Sequence, residues 1–234
     1  MIKAIFLDID NTLLSFNSYV RHTMEQGFAH FGLKPYEPYM YDIFHEENNA
    51  LWRRIEEGTL TFQELEKIRW NNIFQRLAIR FDGVVFEKYF REALNQSAIA
   101  EDGAAALLEF LYGKYILCVA SNGPYLQQMN RLVIADMKRY FDYFFISEQI
   151  GASKPSKEFF DTAFRLLNQN RIEKIMPKET LMIGDSLSSD IGGGKAYGMQ
   201  TCYYHLGACD GSANEAADAI VNHLAEIPAL HFFA

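Results

Sequence analysis

Ile2-Lys3-Ala4-Ile5-Phe6-Leu7-Asp8-Ile9-Asp10-Asn11-Thr12 is the stretch on which the fold turns. Its first six residues are almost unbroken apolar sequence, as expected for a strand buried on both faces of a parallel sheet. Two carboxylates two residues apart follow at the carboxyl end of that strand, where open α/β sheets bind ligands. Asn11 and Thr12 are turn formers. Read blandly, this is a strand ending in a solvated acidic turn; read chemically, it is a pair of carboxylates at a binding edge.

Working outward, the same apolar character returns in Tyr115-Ile116-Leu117-Cys118-Val119-Ala120, Tyr143-Phe144-Phe145-Ile146, Thr180-Leu181-Met182-Ile183 and Thr201-Cys202-Tyr203-Tyr204, and more weakly in Ala219-Ile220-Val221. Between these runs lie helix-like segments. Residues 101–112 are rich in Ala and Leu and stop at Gly113, a suitable glycine past a helix end. Residues 156–168 space Phe159, Phe160, Ala163, Phe164 and Leu167 by three and four. Strands alternating with helices predict an α/β fold with a doubly wound parallel sheet. Residues 18–95 break the alternation. They carry a Thr61-x-x-Glu64 capping box followed by Trp70, Ile73, Phe74, Leu77 and Ala78 at helical spacing. Residues 19–31, 39–57 and 86–94 also read as helices, punctuated by Gly32, Pro35, Pro38, Gly58 and Gly83. The expected organisation is a core of residues 1–15 and 99–234, with a helical insert at 16–98 and linkers near 14–18 and 95–101.

Bulk properties bound the function. A chain of 234 residues with 49% apolar residues can bury a substantial core. Its net charge of −8 argues against a nucleic-acid polymer as partner, yet allows a small phosphorylated metabolite. Cys118, Cys202 and Cys209 are too few and too scattered for a disulfide framework. The opening apolar run meets Asp8 too early for a signal peptide, and no run nears the roughly 18 residues of a membrane span. No membrane association and a cytoplasmic location are expected.

Three further pieces follow the opening pair in order. Ser121-Asn122-Gly123-Pro124 ends the second apolar run, and a serine hydroxyl with backbone N–H groups before a helix that Pro124 begins suits phosphate oxygens. Lys154, extended by the following Pro155, is placed to neutralise a carboxylate and a bound phosphate. Gly184-Asp185 ends a third run, and Asp190 follows five residues later. Asp185 with Asp8 offers oxygens to a hard divalent cation, while Asp190 either orients Asp185 or a metal-bound water, or serves as an acid in the first turn of the next helix. Thr12 either holds the loop by hydrogen bonding to backbone or is simply a turn residue. Gly192-Gly193-Gly194 implies close backbone packing or a broken helix start. Together the pieces supply a nucleophile (Asp8), an acid/base (Asp10), a phosphate cradle (Ser121, Asn122, Lys154) and metal carboxylates.

At these residues the chain resembles the haloacid dehalogenase superfamily of phosphohydrolases, with Asp8/Asp10/Thr12, Ser121, Lys154 and Asp185/Asp190 matching its four motifs. The resemblance implies that Asp8 forms an aspartyl-phosphate, while Asp10 protonates the leaving oxygen and then activates water. It implies Mg2+ on Asp8, Asp185 and the Asp10 main-chain carbonyl, and a helical cap between the first two motifs; that cap is expected to close, because an aspartyl-phosphate must react with one selected water. A true haloacid dehalogenase lacks the second acid, so Asp10 favours phosphate chemistry. Glu57-Gly58-Thr59-Leu60-Thr61, Tyr140-Phe141-Asp142, Ile146 to Gly151, Lys154 to Asp161 and the Gly184 to Gly194 segment look like the bacterial pyrimidine 5′-nucleotidase group. Tyr203-Tyr204-His205-Leu206-Gly207 departs from that group's pattern. Sugar-phosphate and acylneuraminate-9-phosphate phosphatases share much of it, and a phosphomutase or a non-catalytic phosphate-binding module are the remaining alternatives. Phe16, Asn17, Asn48, Trp52, Arg53, Arg69 and Trp70 are the insert residues read as able to meet a base or a sugar, or else to pack.

Overall fold

The apolar runs become a six-stranded parallel sheet in the computed structural model, which describes residues 1–205 and 216–233. The strands are β1 (Ala4–Leu7), β2 (Ile116–Ser121), β3 (Tyr143–Ile146), β4 (Thr180–Gly184), β5 (Gln200–Tyr204) and β6 (Ala219–Val221). Their order is β3-β2-β1-β4-β5-β6. The chain runs outward from β1 through β2 and β3, then returns to β1's other side for β4. That reversal is the switch point at which such sheets open a ligand crevice. Leu7 is in register with Val119 of β2 and with Ile183 of β4, so the three strands end side by side.

Alternation along the strands fills both faces. Ile5, Leu7, Leu117, Val119, Leu181 and Ile183 pack with Leu107, Leu108 and Leu111 of α5 (Ala104–Leu111) and Leu132 of α6 (Tyr125–Ile134). Ala4, Phe6, Cys118, Ala120 and Met182 pack on the opposite face with Phe159, Phe160, Ala163, Phe164 and Leu167 of α8 (Lys157–Leu167). Each fully buried large apolar side chain is worth about 1.5–3 kcal/mol relative to exposure. Ser156 caps α8 by accepting from the Phe159 N–H at 3.3 Å. A short helix, α7 (Ser147–Ile150), follows β3.

The chain divides into two compact units, residues 1–15 with 98–234 and residues 16–97. The second is wholly helical: α1 (Phe16–His30), α2 (Tyr39–Glu56), α3 (Phe62–Arg76) and α4 (Gly83–Asn95). The Thr61 capping box forms as read, with the Glu64 N–H donating to Thr61 Oγ1 and the Thr61 N–H to Glu64 Oε2. Gly83 has a different purpose from punctuation. It is the first residue of α4, and a Cβ there would lie 2.2 Å from the Asn71 backbone nitrogen, so glycine lets α3 and α4 cross closely. The unit's centre holds a buried polar group: Arg69 donates to both Glu87 oxygens, at 3.0 and 2.5 Å, and to Asn48 Oδ1 at 3.0 Å. Trp70 is fully buried against Phe44, Phe86 and Phe90. Asn48, Arg69 and Trp70 therefore pack the helical unit's interior and are not offered to a ligand. Trp52 is half-buried on Phe62, Phe16 lies against Tyr19, Phe44 and Phe90, and Arg53 is exposed.

Candidate active site

Three neighbouring strand ends bring the acidic and hydroxyl groups together. Asp8 follows the last residue of β1, Ser121 closes β2, and Asp185 follows Gly184 at the end of β4. The Asp8 N–H donates to the Ile183 carbonyl at 3.0 Å, which carries the ladder one residue beyond the strand and fixes where its side chain starts. The chain then turns sharply: Thr12, Leu13 and Leu14 all return their N–H groups to the Ile9 carbonyl, and Asn11 takes a positive φ of 57°. Asn tolerates that conformation better than most residues. The Thr12 hydroxyl, one of two readings for holding this loop, is buried without a hydrogen-bond partner; the backbone bonds to Ile9 hold it instead.

Lys154 is the hub. Its side chain is 2% exposed, and its ammonium donates to Asp8 Oδ1 at 2.8 Å, Asp190 Oδ1 at 2.5 Å and the Ala120 carbonyl at 2.6 Å. Asn122 fixes the backbone that carries it, because its Nδ2 donates to the Lys154 carbonyl and its Oδ1 accepts from the Lys154 N–H, both at 2.9 Å. Asn122, expected in the phosphate cradle, thus has both side-chain groups engaged in placing the lysine. Asp190 is held at its other oxygen by the Ser186 N–H at 3.0 Å. Its carboxylate lies where a Cβ on residue 184 would be, 2.2 Å from Oδ2, so only glycine fits at the end of β4. Residues 187–192 wind as a π-helical turn that continues into α9 (Gly193–Tyr197). The glycines here pack closely, as the Gly-Gly-Gly run implied: a Cβ at 193 would meet Pro155 at 2.9 Å, and one at 194 would meet Met182 at 3.1 Å.

Burial and surplus negative charge dominate the electrostatics. Burial raises the Asp8 carboxyl to about 7, with the Asp190 and Asp10 charges adding to it and the Lys154 ammonium opposing it. Burial, with the Asp8, Asp190 and Asp10 charges adding to it and the Lys154 ammonium opposing, pushes Asp185 well above the usual carboxylate range. Burial works against the Lys154 charge, but Asp190 and Asp8 outweigh it and carry its pKa above the ordinary lysine value. Asp8, Asp185 and Asp190 bring one oxygen each within 4.8 Å of one another. A crowded, oxygen-only donor set with one ammonium among three carboxylates fits a hard divalent cation such as Mg2+. Because both Asp190 oxygens already accept hydrogen bonds, Asp8 and Asp185 are the carboxylates best able to hold the ion.

Asp10 lies apart from this cluster's lysine and has its own partners, which the sequence reading missed. Gln128 Nε2 donates to Asp10 Oδ2 at 2.8 Å and to Ser121 Oγ at 2.9 Å, while Arg131 Nη1 donates to Asp10 Oδ1 at 2.7 Å. Gln128 and Arg131 are 2% and 1% exposed. Their signal was present: with Leu132 they form the buried face of α6, an unusual place for an arginine. Pro124, expected as the first helical residue of α6, stands one position before it with ψ 131°.

Cys118 and Cys202 are buried thiols in the core, whereas Cys209, Leu206 and Gly207 lie outside the described residues. Among the described residues no helix is long and apolar enough to cross a membrane.

Residues 2–198 match the family model for haloacid dehalogenase-like hydrolases. The chain is similar to the HAD-hydrolase YfnB of Bacillus subtilis, 30% identical over 86% of this chain and 83% of that protein. It is similar to the pyrimidine 5′-nucleotidase PynA of Streptococcus pneumoniae, 31% identical over 87% and 84%, and to the pyrimidine 5′-nucleotidase YjjG of Escherichia coli, 28% over 85% and 84%. The solved structure of magnesium-bound YfnB superimposes with a TM-score of 0.86 at 28% identity, covering 97% of each chain. With the doubly wound sheet and the strand-end carboxylates in place, the chain belongs to the haloacid dehalogenase-like hydrolase family.

Proposed function

We propose that this protein is a magnesium-dependent phosphomonoester hydrolase that works through an aspartyl-phosphate on Asp8, with pyrimidine nucleoside 5′-monophosphates as its substrates. The observation that carries the chemistry is the buried Lys154 ammonium joining Asp8 to Asp190 beside Ser121 and Asp185. The relatives named pyrimidine 5′-nucleotidase support the substrate class.

In this reading an Asp8 carboxylate oxygen attacks phosphorus, and the phosphorus–ester oxygen bond breaks. Asp10 gives its proton to the departing oxygen. Asp10 then takes a proton from a water that attacks the same phosphorus, breaking the bond to Asp8 and releasing inorganic phosphate. Ser121 and Lys154 hold the phosphoryl oxygens, and Lys154 also keeps Asp8 oriented and its charge balanced. Asp190 anchors the lysine. Mg2+, held by Asp8, Asp185 and the Asp10 main-chain carbonyl, would neutralise charge that builds on the phosphoryl group.

The test is inorganic phosphate release, with and without magnesium, from a panel of nucleoside monophosphates and sugar phosphates. Release that needs magnesium and concentrates on pyrimidine monophosphates is expected. A preference for sugar phosphates would replace the substrate and keep the mechanism. Release that Asp8→Asn or Asp10→Asn leaves intact would refute the assignment of roles.

A further inference from the structure

We propose that Gln128 and Arg131 are positioning residues that set the Asp10 carboxylate and the Ser121 hydroxyl as one unit. The inference rests on the phosphohydrolase reading of the site and adds two residues that none of the four motifs contains.

Four hydrogen bonds tie the group together. Arg131 Nη1 donates to Asp10 Oδ1 at 2.7 Å and to Gln128 Oε1 at 2.8 Å. Because the Gln128 oxygen accepts from Arg131, its nitrogen must face the other way. There it donates to Asp10 Oδ2 at 2.8 Å and to Ser121 Oγ at 2.9 Å. Arg131 therefore decides which end of the amide meets the site, a choice that glutamine by itself leaves open. Both Asp10 oxygens are gripped, one by each residue, so the carboxylate has a single orientation. The Ser121 oxygen accepts from Gln128, which leaves the serine's own O–H free to point to a phosphate oxygen.

Burial makes the device stiff. A glutamine and an arginine that are 2% and 1% exposed have little room for other rotamers, and an unsatisfied polar group there is costly. Both project from one helix, α6, at positions three apart, on the face that also carries the buried Leu132. The helix thus delivers a rigid donor pair to a carboxylate on the β1 turn and a hydroxyl on β2. Asp10 is half-exposed by comparison, with 30% of its side chain accessible, so the support comes from beneath it.

Arg131→Met, Arg131→Lys and Gln128→Met would be assayed for kcat, KM and competitive inhibition by inorganic phosphate on the best substrate of the magnesium panel, each also in an Asp10→Asn background. Thermal melting by circular dichroism would verify the fold. Positioning of Asp10 through Arg131 predicts that Arg131→Met lowers kcat roughly tenfold to hundredfold while KM stays within about threefold. That loss should shrink to within about twofold once Asp10 is already Asn, because both changes act on the same group. Arg131→Lys should recover part of the rate, since an ammonium can still reach Asp10. Gln128→Met should in addition weaken phosphate inhibition, and that second effect should vanish in a Ser121→Ala background. Crystal structures of Arg131→Lys and Gln128→Met should show the Asp10 carboxylate in more than one orientation.

The proposal is overturned by a kcat equal to the wild type in a folded Arg131→Met or Arg131→Lys protein. It is overturned equally by a loss that adds in full to Asp10→Asn, or by a raised KM at unchanged kcat. A wild type that releases phosphate from no monoester on the panel refutes the reading of the site itself, and the positioning role falls with it.

Discussion

Replacing Lys154 by Met keeps most of the side-chain volume and removes only the ammonium, so it isolates what that charge does. Three hydrogen bonds disappear, to Asp8, Asp190 and the Ala120 carbonyl, and two carboxylates with 10% and 1% exposure lose their shared cation. Breaking a buried ion pair from one side costs about 3–5 kcal/mol. The cost should depend on pH, because a carboxylate can escape it by taking a proton. The native pKa of Asp8 is raised from 3.8 to about 7, so the folded state binds a proton that the unfolded state releases. Stability therefore falls as pH rises through that window, by about 1.4 kcal/mol per unit for each proton retained. In the wild type the part of the fall due to Asp8 ends near 7. Without the lysine, whose charge opposes the rise, Asp8 titrates higher still, so the variant continues to lose stability up to pH 8, and the gap between the two proteins widens. Metal-free urea unfolding at pH 6 and pH 8 measures this. Far-ultraviolet circular dichroism is the suitable signal, since Trp52 and Trp70 both lie in the helical unit and would report that unit instead. The expected deficit is about 3–5 kcal/mol at pH 8 and some 1–2 kcal/mol smaller at pH 6. A deficit below about 1 kcal/mol at pH 8, or one that narrows as pH rises, would refute the account of Lys154 as the cluster's counter-charge.

Three other outcomes are expected. Gly184→Ala should drive the Asp190 carboxylate from its place, destabilise by about 1–3 kcal/mol and lower phosphate release far more than the melting temperature suggests, as paired melting and activity curves would show. In the helical unit, Arg69→Met should cost about 3–5 kcal/mol by tryptophan-monitored unfolding, and adding Glu87→Leu should recover much of it, because the second change removes the charge left unpaired. Burial raises the thiols of Cys118 and, to about 12, of Cys202, so peptide mapping after alkylation of the native protein at pH 8 should find both unmodified.

Strand ends and loop acids were legible because periodicity and punctuation act locally. The apolar run before Asp8 could hardly be other than a buried strand, and the same argument located Ser121 and Asp185. Gln128 and Arg131 were not legible, since a polar residue in an amphipathic helix declares no face until the sheet beneath it is known. Asn122 was read for the backbone N–H groups beside Ser121; the partnership of its side chain with the Lys154 backbone spans 32 residues and leaves no local trace. Arg69 and Trp70 were left between two readings, ligand contact and packing, and the structure settles on packing. Their chemistry invited a ligand, but the helices around them close on an ion pair and an aromatic cluster. Gly83 looked like a breaker because glycine usually is one; only the tertiary crossing shows that its missing side chain is the point.

The two ends of the insert meet in the core unit at a single place. Leu14 bridges Ala100, the Ser15 N–H donates to the Ile99 carbonyl at 2.7 Å, and the Glu101 N–H donates to the Leu13 carbonyl at 2.9 Å. The chain thus leaves and re-enters the core unit through one antiparallel clasp. Such an arrangement makes the helical unit an exchangeable module. A foreign insert with termini the same short distance apart could be grafted there without disturbing the strand ends.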